Sequence, residues 1–133
     1  MNPRYLQVAL RAEHRCEYGH APEAVFNFPF EVEHIIPVLG EGLDVETNWA
    51  LACRSCSLRK AMHLGGIDPK SQASARLFHP REDQWEEHFW ADTESGEIKG
   101  LTVVGRATVT RLEMNSAAQI AARQQWIRLG LFS

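Results

Sequence analysis

Long apolar runs are missing from this sequence, and none approaches the roughly 20 residues that a membrane-crossing helix needs. Its first fifteen residues, MNPRYLQVALRAEHR, also lack the apolar stretch and small-residue cleavage site of a signal peptide. A cytoplasmic location with no membrane partner is therefore expected. A basic excess is absent too: 14 Lys and Arg face 17 Asp and Glu, giving a formal net charge of −3. Bulk electrostatics thus give no case for a nucleic-acid partner. Repeats, low-complexity tracts and long linkers do not occur. Cysteine is scarce, with three in the chain. In a reducing compartment such thiols serve as ligands, as a nucleophile or as plain core, rather than as disulfides.

What is present suits a soluble globular chain. Its 133 residues are 44% hydrophobic and 23% charged, values that fit one domain spanning 1–133. Charge is unevenly spread. Glu31, Glu33, Glu41, Asp44 and Glu46 fall in a stretch without Lys or Arg, and Arg54, Arg59 and Lys60 follow directly. An acidic loop beside a basic helix can hold a cation and a phosphate together; a mixed, solvated surface accounts for the same charges.

Coarse secondary structure follows from periodicity and turn chemistry. Asn2 and Pro3 suit a helix start, with Tyr5, Leu6, Ala9 and Leu10 at helical spacing. AVFNFPFEVEHIIPV, residues 24–38, is aromatic and β-branched and predicts extended chain. WALAC predicts a short strand or turn, and RSCSLRKAMH a short helix closed by Gly65 and Gly66. Further on, HPREDQWEEHF predicts a helix, and WADTESGEIKG a hairpin turning at Ser95-Gly96. Two helices should follow, one with Gly105, Thr108, Val109 and Leu112 on a single face, the other capped by Asn115 or Ser116 and closed by Gly130. Trp85, Trp90 and Trp126 read as core.

Chemistry concentrates in one half of the chain. Cys53-x2-Cys56 has the spacing by which a tight turn aims two thiolates at one Zn²⁺, and Cys16-x3-His20 can supply the remaining corners of a Cys₃His site. Such a zinc would be structural, clipping two distant segments together. Between the half-sites lies EVEHIIP, ending an extended segment, and Asn48 comes fourteen positions after His34.

CEYGH…EHIIP…NWALACRSCSLRK resembles the HNH endonucleases, over roughly Arg15 to His63. The later stretch GIDP…LFHPR…W…HF…GLTVVGRATV…MN is similar to the C-terminal part of a bacterial HNH subfamily and carries no further chemistry. The resemblance implies an α+β fold: a ββα-metal core at 15–63, with an N-terminal helix before it and a hairpin and helices in an extension over 64–133. It also implies DNA as substrate and a phosphodiester hydrolase. Its general base would be His34, a residue able to take a proton near neutral pH. Glu33 would hold Mg²⁺ or a similar divalent ion, which prefers oxygen donors, and Asn48 would steady the loop that orients His34. Arg54, Arg59 and Lys60 would meet phosphates.

Two positions depart from the family pattern. Gly19 stands where a second cysteine is usual. Ser57 stands where His or Asn normally supplies the second protein ligand of the catalytic metal, and a neutral hydroxyl predicts weaker metal binding. His63, six residues on, would face away from Ser57 on a continuous helix. Two competing readings follow: a catalytically impaired relative that only binds nucleic acid, and a zinc-stapled protein-interaction module, which the acidic net charge favours.

Overall fold

A computed structural model describes residues 2–133. Its first helix, α1 (Tyr5–Arg11), turns Val8 and Ala9 inward and leaves Leu6 and Leu10 exposed. After a loop and a 3₁₀ turn at Glu23–Val25, the chain extends into β1 (Glu31–His34). Strand β2 (Trp49–Ala52) pairs with β1 antiparallel, with Val32 opposite Leu51, Glu33 opposite Ala50 and His34 opposite Trp49. Ala50, Leu51 and Ala52 are completely buried, so β2 is the spine on which the region packs. Cys53 then stands at the N-cap position of α2 (Arg54–Lys60). Two strands and a helix in this order make the ββα unit that the resemblance implies.

Helix α2 stops before the predicted glycines. It ends at Lys60, and Ala61 takes a positive φ of 45°. Gly65 and Gly66 instead enter β3 (Gly65–Ile67), which pairs with β4 (Ser74–Arg76). A Cβ at Gly65 would lie 2.6 Å from the Ala75 carbonyl oxygen, so close strand approach demands a glycine there. Helix α3 (Trp85–His88) is shorter than expected. Asp83 accepts from the His79 N–H at 2.8 Å and from Arg76 at 2.6 and 3.0 Å, which holds the preceding residues in a turn.

The rest follows the sequence pattern closely. Strands β5 (Phe89–Ala91) and β6 (Ile98–Gly100) form the hairpin, with Gly96 at φ 83°. Thr102 caps α4 (Val103–Arg111) by accepting from the Gly105 N–H. Ser116 caps α5 (Ala117–Arg128), while Asn115 bonds both backbone groups of Ile98. Trp126 is buried and Trp85 half-buried, but Trp90 is 51% exposed with Lys99 over its ring, so it is no core residue. One cluster of buried side chains runs from Val8 through Leu51 and Cys56 to Trp126. Among the described residues no helix is long and apolar enough to cross a membrane.

Candidate functional site

The loop after α1 closes on itself, with the Cys16 N–H donating to Ala21 and the His20 N–H to Cys16. This holds Cys16 against the N-terminal turn of α2, where Cys53 and Cys56 stand. The ligand atoms of Cys16, Cys53 and Cys56 all lie within 4.8 Å of one another, and all three residues are buried. Burial pushes the Cys16 thiol up. Hydrogen bonds to the other two thiols, together with burial, push Cys56 up, and Cys53, stabilised by hydrogen bonds to both, is pushed down. Three convergent sulfurs in a dry pocket are a donor set that fits zinc.

His20 does not join them. Its ring stacks on Trp85 with centroids 4.0 Å apart and lies 6.4 Å from Phe132. Burial, helped by Arg15, pulls its pKa down to about 4, so the ring stays neutral. Of the four residues expected to converge, the structure brings together Cys16, Cys53 and Cys56, while His20 has a left-handed backbone (φ 63°) and a ring packed among aromatics.

Along β1, alternation divides the motif between two faces. Toward α2, Glu31 accepts from the Ser57 hydroxyl at 2.7 Å, and Glu33 accepts from the Tyr18 hydroxyl at 2.5 Å. The Lys60 ammonium stands 3.8 Å from Glu33 and donates to the Ile35 carbonyl at 2.7 Å. Burial pushes the Glu33 carboxyl up to about 7, against the opposing pull of Lys60 and Tyr18. Lys60 is 1% exposed, so it cannot meet a phosphate from solution, and the nucleic-acid role expected of it is withdrawn. Arg54 is exposed, as is Arg59, which pairs with Glu113 at 3.3 Å. His63 falls past the end of α2 and is exposed.

His34 belongs to the other face. Its Nε2 lies 2.9 Å from Asp44, whose carboxylate also accepts two bonds from Arg4 and one from the Trp49 indole. Those hydrogen bonds, from His34 first and then Arg4, draw Asp44 down to about 2. Strand alternation thus separates His34 from the Glu31–Ser57 face, and the two meet only through the backbone: Lys60 reaches the His34 carbonyl at 3.4 Å.

Asn48 is buried and spends its whole amide on the intervening loop. Its oxygen accepts from the Ile36 N–H at 2.9 Å, and its nitrogen donates to the carbonyls of Ile36 at 2.9 Å and Leu43 at 2.8 Å. Leu43 adjoins Asp44 and Ile36 follows His34 by two, so both partners of the His–Asp contact hang from this clamp. Gly42 packs against it: a Cβ there would lie 1.8 Å from the Ile36 oxygen.

Sequence reasoning gave Tyr18 no role, and Asp44 and Glu31 none beyond membership of an acidic stretch. The acidic run and the CEYGH stretch contained them, but only the fold shows which partner each reaches.

Residues 16–61 match the family model described as HNH endonuclease. This is the family that the sequence motif resembles, and the matched stretch contains the thiol cluster, both strands and α2. No significant match was found among curated proteins or solved structures.

Proposed function

We propose that the HNH segment at residues 16–61 makes this protein a metal-dependent DNA endonuclease, hydrolysing phosphodiester bonds with His34 as general base. The observation that carries the reading is the joint occurrence, inside that segment, of His34 on Asp44 and of Asn48 clamped to the loop between them. Asp44 fixes one ring nitrogen of His34, which leaves the other to take the proton of an attacking water. Glu31, Ser57 and Glu33 offer oxygen donors of the kind that Mg²⁺ prefers. When bound, such a cation neutralises charge on the phosphate and the leaving oxygen. Arg54 and Arg59 are exposed to meet neighbouring phosphates. Zinc on Cys16, Cys53 and Cys56 supplies folding free energy.

The impaired reading has support of its own. Glu33 is occupied by Tyr18 and Lys60, and Ser57 is a weak donor. A supercoiled plasmid titrated with Mg²⁺ or Mn²⁺ in the presence of the protein separates the two. Nicked product that grows with metal supports the nuclease. Salt-dependent binding with no nicking at any metal concentration selects the binder, and no binding at low salt selects an interaction module.

A further inference from the structure

A closed structural zinc site takes four protein ligands, and this cluster supplies three. His20, the fourth ligand that the sequence offered, is stacked on Trp85. The remaining side of the cluster faces Gly19. A Cβ built there would have a single neighbour within 4 Å, the Cys56 sulfur at 3.6 Å. Gly19 is buried and is not among the positive-φ glycines, so nothing in its backbone forbids a side chain. The Gly19 position therefore leaves room for one side chain beside the Cys56 sulfur.

Resting on the zinc reading above, we infer that the metal centre is an open three-thiolate site. Its fourth position, on the Gly19 side, takes a small oxygen ligand, water or hydroxide.

X-ray absorption of the zinc-loaded protein tests this. Expected are three sulfurs at about 2.3 Å and one oxygen at about 2.0 Å, unchanged in His20→Ala. Gly19→Cys should give four sulfurs and slow zinc loss to a chelator at least tenfold. An imidazole outer-shell pattern that His20→Ala removes would overturn the inference, as would four sulfurs in the wild-type protein. Persistence of three sulfurs in folded Gly19→Cys would do the same. A stably folded protein that takes up no zinc at all would overturn the zinc reading together with this one.

Discussion

Asn48 makes three hydrogen bonds to loop backbone that no other side chain satisfies. Asn48→Ala leaves two carbonyls and one N–H of that loop unpaired, and should cost about 3 kcal/mol by chemical denaturation. A loss below about 0.5 kcal/mol, the range of ordinary surface changes, would mean the clamp is not structural. Ser57 poses the opposite problem, too little donor rather than too much. Ser57→Asn keeps the short helix intact and adds a carbonyl oxygen. The metal concentration for half-maximal cleavage should fall several-fold; no gain across a metal titration would remove Ser57 from the metal site. A third residue shapes the pH response. Glu23 is buried, which alone would raise its pKa, but bonds from Tyr5, His14 and the Phe30 N–H outweigh burial and hold it below its usual 4.5. Its folded pKa being depressed, its stabilising contribution is full above about pH 4.5 and is lost as pH falls through the folded value. Glu23→Gln should therefore melt lower than wild type at pH 7, and that gap should narrow toward pH 3. A gap constant across that range would show that the carboxylate charge is not what stabilises.

Among the elements, α4 meets its neighbours most closely at Gly105. A Cβ there would stand 2.0 Å from the His88 carbonyl oxygen and 3.3 Å from Gly100. Gly105→Ala must push α4 off the end of α3 and off β6, so destabilisation of about 1–3 kcal/mol is expected from overpacking, read as a lower melting temperature. The sequence predicted this glycine on one helical face with Thr108, Val109 and Leu112 but held no sign of the clash. Elements were legible where local chemistry decides them: β2 from its apolar run, the hairpin from Ser95-Gly96, α5 from Ser116. They were not legible where tertiary contact decides. Gly65 reads as a helix stop and serves a strand instead, because Ala75, ten residues on, comes within a methyl's reach. Trp90 reads as core by composition and stands in solvent beside Lys99.

At the scale of the whole molecule, the thiol cluster ties the loop after α1 to the ββα unit. Cys53→Ser should abolish stable folding of a zinc-loaded preparation, since metal binding and folding share one free energy in small sites; a cooperative melt like the wild type's would contradict that. The cysteine spacing announced this cluster across nearly forty residues of chain. Spacing alone does not say which side chains the fold brings into contact. The same limit applies to His34: its place in the motif was legible, while Asp44, ten residues on, became its partner only through the Asn48 clamp. The central claim is that this clamped histidine cleaves DNA. The direct measurement is relaxation of supercoiled plasmid by wild-type protein and His34→Ala, prepared alike, matched by circular dichroism and assayed with Mn²⁺. The account predicts nicking by the wild type and none above background by the folded variant. Equal nicking by both would contradict it.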